Sequence, residues 1–324
     1  MSKDFNRTKY FNIIKDVSEL KLLHETEIEH ICDEFIKRCL REQNVVKINT
    51  QVTVVGCLNG QLHDLLNIFK MAGEIPYTNY LFLGDYVNFG QYGLEIYIIL
   101  MCYKILYPTK VIMLRGQHEI KMFSDIGGFQ SECFSKYGNN NVYKKICKSF
   151  EYLPVSANIQ NKIFCSHGGI MKDVSIENLS CIRRVNELDK DDMLMWFIIA
   201  QPKDEKYKEY FKWYERNDTH QFEEGDVDKF FDLCKKTNCN FQTVICTNNL
   251  HVNGIIISDK QKVKSIWSAS NFLGEFENCG CYIEINSQGN IEDVQYRAPP
   301  QYTLPKTWKP LHMNIPKAVP DFFA

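Results

Sequence analysis

Four short polar clusters carry the side chains that could do chemistry in this chain, and each one directly follows an apolar segment. They read GCLNG (56–60), GDYVN (84–88), RGQHE (115–119) and SHGG (166–169). Between them they supply a thiol, carboxylates and imidazoles, which are groups that bind transition metals and transfer protons. Gly-Asp and Gly-Asn pairs also form ordinary turns, but four such clusters in succession favour one shared site.

A βαβ-like series positions these clusters. The predicted strands and helices that flank them are 51–56, 60–71, 79–84, 91–106, 110–116 and 161–169. Ligand sites in sheets of this kind lie outside the carboxyl ends of the strands, so we expect the four clusters to meet in one crevice. The glycines allow the backbone to turn tightly there.

The whole chain divides into three predicted parts. A helical segment at 1–45 contains an amphipathic helix at 22–43 and packs on the core, and a layered domain occupies 46–298. Crossover helices come early in this domain and hairpin-like strands come late, which indicates an α+β fold. The tail, 299–324, holds six of the chain's ten prolines and is predicted to be extended or irregular.

Composition excludes several classes of function. A net charge of −2 argues against nonspecific nucleic-acid binding, which needs a basic surface. The longest apolar stretch, 94–107, is interrupted by Glu95 and Lys104, so it predicts a buried helix and not a membrane span. The N-terminus has no apolar run of signal length, and the 13 cysteines then indicate reduced thiols in the cytoplasm, the nucleus or both.

The clusters resemble the signature of the PPP family of serine/threonine protein phosphatases, closest to the protein phosphatase 1 branch. The family pattern is GDxHGQ, GDYVDRG, RGNHE, HGG, RAH and SAPNYCGEFDNAG. The corresponding segments here read GCLNGQ, GDYVNFG, RGQHE, HGG, CTN and SASNFLGEFENCG, and the resemblance extends over about residues 20–295. It implies an α+β metallophosphoesterase (calcineurin-like) fold, with a central β-sandwich of two mixed sheets flanked by helices.

The resemblance also implies two divalent ions of the Mn, Fe, Zn or Mg type, about 3.5–4 Å apart, that activate a bridging water. At the family's metal positions this chain has Cys57, Asn59, Asp85, Gln117, His167 and Asn248. The family's general acid corresponds to His118, and the carboxylate that orients it corresponds to Asn88. The two phosphate-binding arginines correspond to Phe89 and Thr219, which leaves Arg115 as a candidate phosphate contact.

The altered metal positions predict a weaker centre than the family's. Of the first ion's ligands only Asp85 keeps the family residue type, because Cys57 and Asn59 stand where the family has Asp and His. At the second ion Gln117 replaces Asn and Asn248 replaces His. Amide oxygens are weak ligands beside carboxylates and imidazoles. We therefore expect at most one ion at this site.

Further departures affect catalysis directly. Phe89 places an apolar ring where the family has an arginine of a kind worth roughly 10³–10⁵ in rate. The neutral Asn88 cannot stabilise an imidazolium at His118, and loss of a comparable carboxylate costs about 10⁴. Phe272 lacks the hydroxyl of the family's tyrosine. Such effects need not multiply, but any two of them are enough to silence the site.

One alternative keeps a metal at the site. Cys57, Asp85, His118 and His167 together form a donor set suited to a single Zn²⁺, with one thiolate, one carboxylate and two imidazoles. In the other interpretation Cys57 is a small buried residue in a tight turn, as most cysteines of this type are. The sequence leaves both interpretations open.

Protein partners are expected, among them phosphoproteins and phosphatase regulators. In the branch that the chain resembles, partners with an RVxF motif fill an apolar groove on the late strands. This chain keeps Ile257, Ile266 and Ile283 there but places Lys264, Gly289 and Asp293 where the branch is apolar. Burying a charge in such a groove is costly, so we expect an altered set of partners.

The expected function combines a retained fold with a degraded site. We expect a catalytically inactive or severely impaired protein, a pseudophosphatase, that acts by protein binding or scaffolding. The alternative is an active metal-dependent phosphatase that hydrolyses phosphoserine and phosphothreonine with a reworked site.

Overall fold

The strands build two mixed sheets that face each other. The computed structural model describes residues 2–188, 192–203, 221–258 and 260–298. The predictions made for Thr219 and for the tail 299–324 therefore lie outside the described residues. Helices cover the outer faces of both sheets.

The strands are short and rich in Val and Ile. They are β1 (Val45–Ile48), β2 (Val52–Val55), β3 (Tyr80–Phe82), β4 (Val111–Met113), β5 (Ser156–Ile159), β6 (Ile163–Ser166), β7 (Gln201–Pro202), β8 (Gln221–Phe222), β9 (Thr243–Cys246), β10 (Ile255–Ile257), β11 (Val263–Ile266), β12 (Gly280–Ile285) and β13 (Ile291–Tyr296). Among the described residues, one sheet has the order β1-β5-β6-β9-β11-β10 and the other β13-β12-β2-β3-β4. Strands β2, β3 and β4 pair in parallel, whereas β12 is antiparallel to β2 and β13.

The space between the sheets is filled by aliphatic side chains. Val54 and Leu81 of one sheet pack in the same cluster as Ala157, Ile245 and Ile266 of the other, and all five are fully buried. Strands covered on both faces lose the alternation of polar and apolar residues. This is why β2 reads as an unbroken apolar run and is buried along its whole length.

The helices form two layers outside the sandwich. They are α1 (Ser2–Ser18), α2 (Glu25–Cys39), α3 (Leu62–Ala72), α4 (Gly93–Leu106), α5 (Lys121–Ile126), α6 (Phe129–Tyr137), α7 (Asn141–Phe150), α8 (Ile176–Cys181), α9 (Met193–Ile199) and α10 (Glu224–Lys235). Helices α1 to α4, α6 and α7 contribute to the core outside the β2–β3–β4 sheet. Helices α8, α9 and α10 cover the other sheet.

Helix α4 is the buried helix that the sequence predicts. Its two interrupting charges are neutralised inside the protein: Lys104 pairs with Glu42 and donates to the Val111 carbonyl at 2.8 Å, and Glu95 pairs with Lys136 at 2.6 Å. None of the helices in the described ranges combines the length and apolar character that a membrane crossing requires.

The predicted α+β sandwich is confirmed, with elements that the sequence pattern did not single out. Strand β5 has the sequence SANI and lacks a clear apolar pattern, yet it is held between β1 in parallel and β6 in antiparallel register. Helix α1 buries Tyr10, Ile13 and Val17 in the same core as α2. The boundaries proposed at 45 and 298 stay predictions.

Candidate functional site

The carboxyl ends of β2, β3, β4, β6 and β9 bring the polar clusters together, as the sequence predicts. The backbone amides of Leu58 and Asn59 donate to the carbonyl of Asp85, at 3.1 and 2.8 Å. The amide of His118 donates to Asp85 Oδ1 at 2.9 Å, and the amide of Thr247 donates to the carbonyl of His167 at 2.8 Å. These contacts join segments that are far apart in sequence around one carboxylate.

Two glycines permit this close approach. A Cβ on Gly84, where φ is +110°, would lie 2.4 Å from Gly116 Cα. A Cβ on Gly116 would lie 2.3 Å from the backbone nitrogen of Asp85. Real Cβ atoms do not approach other atoms so closely, and only glycine readily adopts the first conformation. The two strand ends therefore meet only because both positions lack side chains.

Asp85 is the centre of the site and is almost completely buried. Its Oδ1 lies 3.3 Å from His167 Nε2, and its Oδ2 lies 3.5 Å from Cys57 Sγ and 3.6 Å from His118 Nδ1. Burial raises the pKa of Asp85, but His118 and His167 outweigh burial and hold that pKa below its ordinary value. Asp85 is therefore a carboxylate at neutral pH.

His167 presents one defined nitrogen to Asp85. Its Nδ1 lies 3.0 Å from the carbonyl oxygen of Leu83, and a carbonyl can only accept, so Nδ1 carries a proton. Its Nε2 lies 3.3 Å from Asp85 Oδ1 and donates to that carboxylate when the ring is protonated. Burial lowers the pKa of His167, but the Asp85 charge has the larger combined effect and raises it overall.

Cys57 is a fully buried thiol held on both its backbone and its side chain by Thr247. The Thr247 hydroxyl accepts from the Cys57 amide at 3.0 Å and lies 3.1 Å from Sγ. Burial, followed by the charge of Asp85, raises the pKa of Cys57 well above its ordinary value. In the absence of a cation the sulfur therefore carries its proton.

Amide side chains occupy three of the family's metal positions. Asn59 is fully buried, and neither atom of its amide group has a hydrogen-bond partner among the described residues. The same holds for Nδ2 of Asn248. Gln117 is buried and begins a short 3₁₀ turn that continues to Glu119. The interior around Asn59 and Asn248 is therefore polar and incompletely paired. Each buried polar atom without a partner lowers stability by about 1–3 kcal/mol.

The side chain of Asn88 forms hydrogen bonds with the backbone of Phe123 and Phe129. Its Nδ2 donates to the Phe123 carbonyl at 3.0 Å, and its Oδ1 accepts from the Phe129 amide at 3.1 Å. The carbonyl of Val87 faces His118 Nδ1 at 3.2 Å, and the carboxylate of Asp85 lies farther from the same nitrogen, at 3.6 Å. A neutral carbonyl can orient an imidazole, but it stabilises an imidazolium much less than a carboxylate does.

An aromatic group lines the site next to His118. The ring centroid of Phe89 lies 4.9 Å from that of His118 and 5.6 Å from that of Phe272. Phe272 in turn packs edge-on against Trp267 at 5.1 Å, and Leu250 belongs to the same cluster. We call Phe89, Leu250, Trp267, Phe272 and the neighbouring Leu273 the aromatic cluster.

Arg115 points into the protein interior. The residue is buried, and its guanidinium donates to the backbone carbonyls of Glu119 at 3.1 Å and Asn186 at 3.3 Å. These bonds keep the charge engaged away from an incoming phosphate. Arg115 is therefore not placed for the phosphate contact that the sequence suggested.

Two supporting residues were missed in the sequence analysis. Glu119 accepts from the backbone amides of Asp85 at 2.8 Å, Tyr86 at 2.9 Å and Gly116 at 3.0 Å, so it fixes two of the clusters relative to each other. The only signal for it is its position in RGQHE, three residues after a glycine. Thr247, which holds Cys57, gives no sequence signal, because the two residues are far apart in the chain.

The donor set does not fit a centre of two hard ions. Among the described residues, the group of His, Cys, Asp and Glu side chains close enough to share an ion is Cys57, Asp85 and His167, whose ligand atoms all lie within 4.8 Å of one another. His118 is not part of this group, although its Nδ1 lies 3.6 Å from Asp85 Oδ2, so the four-residue zinc set expected from the sequence is reduced to three. A bridging carboxylate can serve two ions, but here it would be the one anionic oxygen ligand that the described residues offer to both.

Comparison with known proteins agrees with this architecture. The calcineurin-like phosphoesterase family model matches residues 50–245. The chain is 32% identical over 320 residues to a protein phosphatase 2A catalytic subunit of Dictyostelium discoideum, covering 98% of this chain and 99% of that protein. It is 33% identical over 279 residues to the serine/threonine-protein phosphatase 4 catalytic subunit of Kluyveromyces lactis, covering 86% and 88%.

A solved structure supports the same conclusion. A protein serine/threonine phosphatase from Saccharomyces cerevisiae superimposes with a TM-score of 0.77 at 25% identity, over 89% of this chain and 93% of that one. A cold-active protein-tyrosine phosphatase of a Shewanella species shares the fold at 12% identity, with a TM-score of 0.53 over 79% and 84% of the two chains. By fold, motifs and relatives, this chain belongs to the calcineurin-like phosphoesterases and, within them, to the PPP family of serine/threonine phosphatases.

Proposed function

We propose that this chain is a pseudophosphatase, a catalytically inactive or severely impaired member of its family that acts by binding or scaffolding other proteins. The observation that carries the proposal is the contact between Phe89 and His118, with ring centroids 4.9 Å apart. A phenyl ring lies beside the candidate general acid, at the position where the family places a cation for phosphate.

The surroundings of His118 support this proposal. Transfer of a phosphoryl group depends on positioning and on positive charge around the phosphate oxygens. The aromatic cluster places apolar side chains beside His118, and the Asn88 amide is bonded to the backbone of Phe123 and Phe129. An arginine of this type contributes roughly 10³–10⁵ in rate, so its absence alone makes the reaction slow.

The metal positions support it independently. Asn59 and Asn248 bring neutral amides where the family has imidazoles, and amides hold hard cations weakly. With at most one ion bound, a water molecule would feel one positive charge instead of two, and its pKa would fall less. Little of the bound water would then be present as hydroxide, the attacking nucleophile, at neutral pH.

A slow but genuine phosphatase is the second candidate function. It is favoured by the relatives, which are named as serine/threonine-protein phosphatases or their catalytic subunits. In this alternative the chain hydrolyses phosphoserine and phosphothreonine with its reworked site, and His118 remains the acid.

An assay with a matched variant distinguishes the two functions. Wild type and His118→Ala are incubated with Mn²⁺ and, separately, with Zn²⁺, on an aryl phosphate and on a phosphothreonine peptide. We expect equal rates for the two proteins, at the level of the buffer. Turnover that is present in wild type and lost in His118→Ala would establish the phosphatase and overturn the pseudophosphatase.

Protein partners are part of the proposal. Relatives are named as catalytic subunits, a term that implies companion chains, and we propose phosphatase regulators or phosphoproteins as partners in the cytoplasm or the nucleus. The closer placement beside the protein phosphatase 1 branch stays a prediction, since the relatives described above carry the names of types 2A and 4. A pull-down from native extract, compared with a Lys264→Leu and Asp293→Leu double variant, would test whether the late strands select them.

A further inference from the structure

A cavity of about 610 Å³ lies at the end of the β13-β12-β2-β3-β4 sheet that is remote from the polar clusters. Its wall includes Val52, where β2 begins, and Asn79, which immediately precedes β3. The polar clusters instead follow the last residues of these strands. Pockets for small organic ligands have volumes in this range, so the cavity is a second candidate binding site, separate from the first.

Two carboxylates face each other on the wall of this cavity. Glu284 of β12 lies directly opposite Glu292 of β13 in the antiparallel register. Residues in this relationship share one face of the sheet, and like charges placed so are destabilising. Successive residues of a strand point to opposite faces, so the pair lies on the face opposite that of Ile283, which is buried between the sheets.

The charge of this pair is not compensated by the surrounding chain. Within the ranges that the structure describes, neither Glu284 nor Glu292 forms an ion pair, and Lys264 on the neighbouring strand pairs with Asp293 instead, at 3.4 Å. Burial, followed by the charge of Glu292, raises the pKa of Glu284. A bound cation would convert this repulsion into two attractive contacts.

Asn79 adds an unpaired acceptor to the same cavity. Its Nδ2 donates to the hydroxyl of Thr50 at 3.1 Å and to the carbonyl of Gln51 at 2.8 Å. That carbonyl can only accept, which fixes the other amide atom as the oxygen. This Oδ1 is buried and has no hydrogen-bond partner among the described residues. Buried polar atoms are normally paired, so the oxygen indicates a donor that the described part of the chain does not supply.

Apolar side chains complete the wall of the cavity. Val52 and Ile285 are almost fully buried there, and Ala72 and Ile291 are partly exposed. An aliphatic stem can pack on such a surface while its charged end reaches the carboxylates. A guanidinium is the best match for two carboxylates and an amide oxygen, because its planar fork carries five donors and no acceptor.

We propose that this cavity binds an aliphatic cation, a guanidinium or ammonium group on a hydrocarbon stem, held between Glu284 and Glu292. The same chemistry is offered by a free guanidine or amine and by an arginine or lysine side chain of a partner protein. The proposal concerns a surface remote from His118 and does not depend on whether the chain is catalytically inactive.

Calorimetric titration at low salt tests the proposal with two cationic probes. Agmatine represents the free cation, and the peptide acetyl-Gly-Arg-Gly-amide represents a side chain of a partner. The same peptide with citrulline in place of arginine has nearly the same shape without the charge. We expect wild type to bind at least one cationic probe at one site per chain, and to bind the citrulline peptide at least about tenfold more weakly than the arginine peptide if the peptide is the ligand. Binding of agmatine alone would identify a free molecule as the ligand, and binding of the arginine peptide alone would identify a side chain.

A matched pair of variants locates the binding. The double variant Glu284→Gln with Glu292→Gln should weaken binding by about tenfold or more. The control Glu275→Gln with Glu277→Gln makes the same change in net charge at two exposed residues outside the cavity, and should retain the wild-type affinity. Absence of binding by wild type for both cationic probes, or equal affinity in the two double variants, would overturn the proposal.

Thermal denaturation provides a second measurement. Because the cavity variant loses a like-charge contact, its melting temperature should be no lower than that of wild type, and the bound cation should raise the melting temperature of wild type only. If the variant fails to fold, the effect of the cation on the melting temperature of wild type and of the Glu275/Glu277 control still decides. A cation that raises neither would overturn the proposal. Phosphatase activity enters none of these readouts.

Discussion

The ring of Phe89 lies 4.9 Å from the imidazole of His118, with the two ring planes inclined by 60°. Phe272 meets the other side of Phe89 edge-on at 5.6 Å. Phe89 is therefore part of a packed cluster and does not merely occupy the place of a lost arginine. Because the ring contributes to packing, a return to arginine has a cost in stability as well as a chemical purpose.

Substitution of Phe89 tests this double role. Phe89→Arg places a charge against Phe272 and should lower the free energy of unfolding by about 1–3 kcal/mol, whereas the control Phe89→Leu should cost less than about 1.5 kcal/mol. Urea denaturation measures both. The single arginine should not create phosphatase turnover, because the metal positions remain altered. Turnover in Phe89→Arg would show that Phe89 alone prevents catalysis in the wild type.

A buried charge network holds the start of helix α4. Lys136 pairs with Glu132 at 2.7 Å and Glu95 at 2.6 Å, while Glu132 accepts from the amides of Gly93 and Leu94. Burial raises the pKa of Glu132 to about 7. Removing the cation from such a group leaves carboxylates uncompensated, and we expect Lys136→Met to lower the free energy of unfolding by about 3–5 kcal/mol.

An exposed ion pair provides the control for that change. Lys121 pairs with Asp125 at 3.0 Å with both side chains more than a third exposed, so Lys121→Met should change the free energy of unfolding by less than about 1 kcal/mol. Guanidinium denaturation of the two variants side by side measures the difference. Equal effects would mean that the Lys136 network does not stabilise the protein.

The buried His251 should make the folded protein less stable in acid. Burial lowers its pKa from 6.5 to about 3, and its Nε2 lies 2.8 Å from the Ser265 hydroxyl. Below pH 6.5 the unfolded chain takes up a proton that the folded chain refuses, so stability falls as the pH drops from 6.5 towards 3. The slope from this one group approaches about 1.4 kcal/mol per pH unit.

The variant His251→Gln removes this titration and keeps a polar group for Ser265. Thermal denaturation of both proteins at a series of pH values between about 7 and about 4 gives the comparison. Wild type should lose stability more steeply than the variant across this range, with a difference in slope that approaches about 1.4 kcal/mol per pH unit at the acid end. Parallel curves would show that His251 is not neutral and buried in solution.

The ion pair on the late strands should make the binding of RVxF peptides weak. Lys264 of β11 pairs with Asp293 of β13 at 3.4 Å, and of the three isoleucines singled out from the sequence only Ile257 is exposed, while Ile266 and Ile283 are fully buried between the sheets. Docking an apolar side chain there would desolvate two charges. Fluorescence anisotropy with a labelled peptide should give a Kd no tighter than about 1 mM, or about −4 kcal/mol.

Replacement of the ion pair shows whether these charges are the cause. The double variant Lys264→Leu with Asp293→Leu should bind the same peptide more tightly than wild type does. Micromolar binding by wild type would contradict the prediction and place this chain with the RVxF-binding phosphatases.

The sequence by itself determined the fold and the residue types that stand at the family's site positions. Apolar segments such as 51–56 and 79–84 encode strands locally, and the glycines at 84 and 116 encode the tight approach of the clusters that follow. Residue identity is enough to show that Asn59 and Phe89 cannot act as the imidazole and the guanidinium of the family, because a functional group is a property of the residue alone.

The tertiary structure decided which atoms of these residues form hydrogen bonds or ion pairs, and with which partners. It engages Arg115 with interior carbonyls, bonds the amide of Asn88 to the backbone of α5 and of the start of α6, and directs Nε2 of His167 at Asp85 beside Cys57. Thr247 lies 190 positions from Cys57 along the chain. Contacts over such separations depend on strand order and on side-chain rotamers, which no local pattern of residues encodes.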